Sequence, residues 1–198
     1  MHIKAERLFG QREDKMAKGT MGLAASFDLE TFGLDPVYGR LLCGVIKPWG
    51  GDTQVYRVKR AGSDDSKLVA QLVSELSRYS ILFAHNGLFY DRAMLNGRAL
   101  QYDMPTLDPK GKLVDPYLVA RKHLNLRRNS LDSLADHFQL LDQKMHLPAS
   151  VWVRAALDHD ESAMETLVDR CISDTVVLEQ LATRILPLLG NVTPWGSS

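Results

Sequence analysis

Four acidic residues stand where an acid is costly. Asp28 and Glu30 are separated by a single residue in a run that otherwise reads Leu23, Ala24, Ala25, Phe27 and Leu29. Alternate residues of an extended strand share a face, so both carboxylates project to the same side. Two anions side by side against a core cost several kcal/mol unless a counter-charge meets them, and a divalent cation is such a charge. The competing reading ends the strand at Asp28 and leaves both groups solvated in a loop. Asp174 falls on the apolar stripe of a helix, three residues after Cys171 and four before Leu178. An inward-pointing acid needs either a basic partner, for which Arg170 is placed one turn earlier, or a cleft that holds a cation. Asp91 follows an apolar run and the segment His85-Asn86-Gly87, near the start of a helix. Strand-to-helix junctions carry functional groups in α/β proteins, although the helix dipole also draws acids there. Carboxylate oxygens are the ligands hard cations prefer. Two Mg²⁺ or Mn²⁺ ions held ~4 Å apart can activate a water and stabilise the leaving oxygen of a phosphodiester, so the chemistry indicated is metal-assisted phosphoryl transfer.

The elements that must position these acids follow from hydrophobic periodicity. Gly22 to Glu30 reads as a buried strand, with turn chemistry at Gly33, Asp35, Pro36 and Gly39. Leu41 to Lys47 and Thr53 to Lys59 read as two further strands of a β-meander. Leu68, Leu72 and Leu76 recur at helical spacing, which predicts an amphipathic helix over Asp65 to Tyr79, followed by a fourth strand at Ile81 to Ala84. Tyr90 to Leu100 reads as helix and Lys112 to Val119 as a fifth strand. Ser130 is placed to cap a helix carrying Leu131, Leu134, Phe138 and Leu141. A long helix spans Glu161 to Leu189, closed by Gly190 and Pro194. This order predicts an α/β domain with a mixed sheet over residues 21–190, a flexible N-terminal extension over 1–20 and a C-terminal tail over 191–198.

Composition sets outer bounds. With 198 residues, 45% of them hydrophobic, the chain can bury one sizeable core. No apolar run approaches the ~20 residues of a membrane-spanning helix, so no membrane partner is expected. The first twenty residues lack the apolar stretch of a secretory signal. Cys43 and Cys171 have no metal-ligand spacing and suggest no disulfide framework, which fits a reducing cytoplasm. Equal numbers of basic and acidic residues, 24 of each, give no net attraction for a polyanion, so any nucleic-acid binding must use local patches or bound cations.

With the acids placed, the sequence resembles a known pattern. FDLETFG resembles the first motif of the DnaQ-like DEDD 3′–5′ exonuclease family, HNGLFYD resembles its second, and CISDTVVLEQL looks like its third. LVDPYLVARKHL and NSLDSLADHF look like the strand and helix between them. CGVIKPWGGDTQVYRV and the second motif are also similar to proofreading domains of phage DNA polymerases. The resemblance covers roughly Gly22 to Leu189. It implies a ribonuclease H-like fold, a mixed five-stranded sheet flanked by helices, with two divalent cations, Mg²⁺ or Mn²⁺. It implies stepwise release of nucleoside monophosphates from the 3′ end of single-stranded DNA, with RNA as the near alternative. Asp28, Glu30, Asp91 and Asp174 match the four metal-binding catalytic acids. By the same resemblance Thr31 and Phe32 line the pocket for the terminal nucleotide, supported by Asn86 and Tyr90.

In one respect the chain departs from the pattern. Such enzymes carry a Tyr four residues, or a His five residues, before the last acid to orient the attacking water. Here those positions hold Arg170 and Asp169. Arginine stays protonated and cannot act as a base at neutral pH. Its fork geometry suits a scissile phosphate instead, and His137 and His146 are further candidates for the water. Arg121, Lys122, Arg127 and Arg128 form a basic cluster that can guide a phosphate backbone, and Trp49, Trp152 and Trp195 can stack on bases. The rival reading is a catalytically impaired module that binds nucleic acid or a protein partner.

Overall fold

The computed structural model describes residues 24–59, 64–107, 112–142 and 145–189. The extension expected over 1–20 and the tail over 191–198, with Trp195, lie outside the described residues. Five strands, β1 (Ala24–Phe32), β2 (Arg40–Pro48), β3 (Gln54–Arg57), β4 (Ile81–Phe83) and β5 (Lys112–Val114), form one sheet in the order β3-β2-β1-β4-β5. β1 pairs antiparallel with β2 and parallel with β4, β2 is antiparallel to β3, and β4 is parallel to β5. The sheet is therefore mixed, as the strand and helix order predicted, and β1 is its central strand.

Helices α1 (Ser66–Leu76), α2 (Asp91–Gln101), α3 (Pro116–His123), α4 (Leu131–Phe138), α5 (Ser150–Leu157) and α6 (Glu161–Ile185) flank it, and a 3₁₀ turn at Leu186–Leu188 follows. The alternation of β1 divides its side chains between two layers. Leu29 turns toward α1, where its partner Gly44 lies so close that an added Cβ would come within 2.8 Å of Leu29 and 3.0 Å of Leu72. On the opposite face β1 and β2 pack against α6, with the Cys171 Sγ donating to the Asp28 carbonyl oxygen at 3.2 Å. A buried knot ties the first layer together: the Asp65 carboxylate accepts from the Leu41 backbone N at 2.7 Å and from Arg98 Nε at 3.1 Å.

Several boundaries differ from expectation, three of them for a clear local reason. The fifth strand stops at Val114 instead of reaching Val119, because Asp115 caps a new helix, accepting from the Tyr117 backbone N at 3.0 Å, and Pro116 opens it. Ser130 does cap α4, accepting from the Ser133 backbone N at 3.3 Å. That helix ends at Phe138, where Gln139 turns left-handed at φ 51°, so Leu141 leaves the predicted stripe and is 94% exposed. The last helix ends at Ile185 and not Leu189, since Pro187 cannot donate the next helical hydrogen bond.

Candidate metal centre

The central strand carries its two acids past the point where a loop reading would have released them. β1 continues to Phe32, and Glu30 is only 5% exposed. Asp28 is half-buried on the same face. Just beyond them the register with β2 shifts between Glu30 and Thr31, so that Glu30 pairs with Cys43 and Thr31 with Leu41. Such an irregularity bends a strand and re-aims its side chains, a feature often found beside functional sites. Across the sheet, α6 points Asp174 inward from its buried stripe. Carboxylate oxygens of Asp28, Glu30 and Asp174 all lie within 4.8 Å of one another. Three hard oxygen donors at that separation, set against a core, fit a hard divalent cation.

Arg170 and Trp152 complete this arrangement. Arg170 Nε donates to Glu30 Oε1 at 2.7 Å, and its Nη2 lies 3.3 Å from Asp174 Oδ2. Trp152 Nε1 donates to the other oxygen of Glu30 at 2.8 Å, and the guanidinium lies over the Trp152 ring, 5.4 Å from its centroid. Burial pushes the Glu30 carboxyl above its ordinary value, opposed by the Arg170 charge and the Trp152 hydrogen bond. Arg170 is thus the basic partner that helical spacing suggested for Asp174, and it serves Glu30 as well.

Asp91 opens α2 and lines the same cleft, without joining the three-carboxylate cluster. It is 4% exposed, and burial raises its pKa to about 7, against hydrogen bonding with the backbone of Asp91 itself and Leu29. The nearby charges of Asp115 and Glu30 push in the same direction as burial. It is therefore positioned to take or give a proton near neutrality when no cation is close.

The cleft has a volume of about 800 Å³ and includes Thr31, Phe32, Asn86 and Tyr90 among its lining residues, as the motif reading expected. Thr31 Oγ1 and Tyr90 Oη are 2.5 Å apart, and Thr31 also donates to the Gly33 carbonyl at 2.9 Å. Asn86 adopts φ 60°, and its backbone N donates to Asp115 Oδ1 at 2.9 Å. Asp115 also receives the Leu88 and Tyr117 backbone N–H groups, which makes it the anchor of the HNG loop. The sequence reading passed over Asp115; its one signal was an acid directly before proline at the end of an apolar run. Leu34, His85 and Tyr117 line the cleft as well and were also missed. His85 meets the Tyr117 ring edge-on at 5.9 Å.

Other candidates stand apart from the centre. His146 pairs with Asp132 at 3.1 Å on the surface, and His137 packs edge-on against Phe138, so neither lines the cleft. Trp49 is partly buried and packs against the core, its ring 5.4 Å from that of Phe83. Of the basic cluster, Arg121 stacks over Tyr117 at 5.6 Å and so reaches the cleft wall.

Comparison with known proteins agrees with this architecture. A search of curated proteins returns no match. Among solved structures, the family B DNA polymerase from the hyperthermophilic archaeon Pyrobaculum calidifontis is similar with a TM-score of 0.67 and 19% identity. The similarity covers 83% of this chain and 24% of the polymerase, so this chain spans about a quarter of that protein's length. At that identity the likeness speaks to fold. A family model described as RNase_H superfamily matches residues 25–186, which takes in every strand but the first residue of β1 and all four acids. The mixed sheet, its flanking helices and this match together establish that the chain belongs to the RNase H superfamily.

Proposed function

We propose that this protein is a metal-dependent 3′–5′ exonuclease that hydrolyses the terminal phosphodiester of single-stranded DNA, with RNA as the neighbouring substrate, and releases nucleoside monophosphates. The observation that carries this reading is the meeting of Asp28, Glu30 and Asp174 within 4.8 Å, with Asp28 and Glu30 lining the cleft. Those three residues would hold Mg²⁺ or Mn²⁺, and the bound ion supplies Lewis-acid activation of water and phosphate. The lining of the cleft supports this reading. Phe32 and Trp152 offer aromatic faces on which a base can stack and Leu34 an apolar contact, while Thr31, Asn86 and Tyr90 offer polar groups in the same cleft. A reducing cytoplasm suits the two free cysteines, both buried in the core.

The decisive assay is digestion of 3′- and 5′-labelled single-stranded DNA and RNA with Mg²⁺, Mn²⁺ or EDTA, using wild type and Asp28→Ala. Metal-dependent shortening from the 3′ end, reduced more than about 100-fold in the variant, is the expected result, because the ion loses a direct ligand. Absence of cleavage by folded wild type in either metal would sink the enzymatic reading. A second reading, a module that binds nucleic acid without cutting it, is favoured by the ion pairs of Arg170 with Glu30 and Asp174, which neutralise part of the acid cluster without any metal. Gel-shift binding without hydrolysis would support it.

A further inference from the structure

Among the described residues that line the cleft, Arg170 is the only lysine or arginine, and it is fixed from four directions. Its Nε donates to Glu30 of β1 at 2.7 Å and its Nη2 lies 3.3 Å from Asp174 of α6. Its Nη1 donates to the carbonyl of Met145, and Trp152 of α5 stacks beneath it. The side chain is 14% exposed. An arginine held this way is part of the framework of the site and not a swinging surface group. Its charge is permanent, so the guanidinium sets a fixed cation between two of the three clustered carboxylates.

Two consequences follow. The ionised carboxylates of Asp28, Glu30 and Asp174 with one guanidinium leave two negative charges, which a single divalent ion neutralises. Asp91 lies outside this cluster, so a second divalent ion within it would either sit against the guanidinium, cation to cation, or expel it from Glu30, Asp174, Met145 and Trp152 together.

We propose that Arg170 takes the place of a second metal: the centre binds one divalent ion on its Asp28 side, and the guanidinium lodged between Glu30 and Asp174 supplies the other positive charge. This rests on the metal-dependent reading above and specifies its cofactor. It assigns Arg170 an electrostatic role in place of the water-orienting role that the resembling family gives this position.

The test counts ions and does not depend on turnover. Wild type, Arg170→Lys and Arg170→Gln are titrated with Mn²⁺, bound ion being followed by electron paramagnetic resonance and by calorimetry. The expected result is one Mn²⁺ per chain for wild type and Arg170→Lys, with no spin coupling between ions, and a second Mn²⁺ in Arg170→Gln. Two coupled ions on wild type overturn the inference and leave the metal-dependent nuclease reading standing. A folded Arg170→Gln chain that still takes a single ion removes the guanidinium as the cause and overturns it too. No ion on wild type overturns both readings. Should Arg170→Gln fail to fold by circular dichroism, the wild-type count decides alone, one ion supporting the inference and two rejecting it.

Discussion

Glu30 has both of its oxygens engaged, one by Arg170 and one by the Trp152 indole N–H. Buried carboxylates need such partners, since an unpaired one would neutralise itself by taking a proton. Trp152→Phe leaves an aromatic ring beneath Arg170 but removes the N–H together with one ring of the indole. The expected outcome is a Mn²⁺ affinity weaker by about 10-fold, measured by calorimetry, because a ligand that loses its supporting hydrogen bond is less well oriented. An unchanged affinity would mean that the indole serves packing alone. Asp65 offers a purely structural contrast. Asp65→Ala strips the counter-charge from the nearly buried Arg98 and leaves the Leu41 N–H without its carboxylate. A loss of about 3 to 5 kcal/mol in urea unfolding is expected, the range for breaking a buried pair from one side.

Between elements, the loop that follows β1 is held down by a close approach to α2. A Cβ on Gly97 would come within 2.5 Å of the Pro36 ring. Gly97→Ala therefore tests two opposed effects in one substitution. Helix propensity favours alanine by about 1 kcal/mol, whereas overpacking against a ring costs about 1 to 3 kcal/mol. Net destabilisation is expected in chemical denaturation. A rise in KM for single strands should accompany it, because the displaced loop carries Gly33 and Leu34 of the cleft. A net gain in stability would show that the loop yields freely. The same logic applies to Asp115, which binds the backbone of the HNG loop from the start of α3 and so positions Asn86 while standing outside the three-carboxylate cluster.

The whole molecule should register its buried acids in the pH dependence of stability. Asp91 keeps its proton in the folded state up to about pH 7, while the unfolded chain releases it near the ordinary 3.8. The folded state thus binds more protons between those values, and the contribution of Asp91 to stability is lost as pH rises through about 7. In EDTA, Asp91→Asn should grow more stable relative to wild type from pH 4 to 7, by at most about 1.36 kcal/mol per pH unit. Thermal unfolding of both proteins across that range checks it. Wild type gaining stability relative to Asp91→Asn as pH rises would contradict the assigned shift. Glu30 and Asp115, also raised by burial, push wild-type stability in the same direction. At this scale the zero net charge of the chain gives no overall attraction for a polyanion, so binding of a strand as proposed would depend on local features such as Arg121 over Tyr117.

Much of this was present in the residue pattern. Alternation along β1 put Asp28 and Glu30 on one face, and helical spacing put Asp174 on the buried stripe beside Arg170, because both are local periodicities that survive folding. The strand and helix order likewise implied a mixed sheet. What the sequence left open were relations across distance. Whether Arg170 would reach a phosphate or an acid, which tryptophan would enter the cleft, and what anchored Asn86 depended on segments more than a hundred residues apart, or on Asp115 taking a cap where a strand was expected to continue. Local propensity decides elements, but the partner of a buried charge is set by packing. Here only the tertiary structure decided that the centre contains a fixed guanidinium, because α5 and α6 close over β1 and leave Arg170 no nearer counter-charge than Glu30.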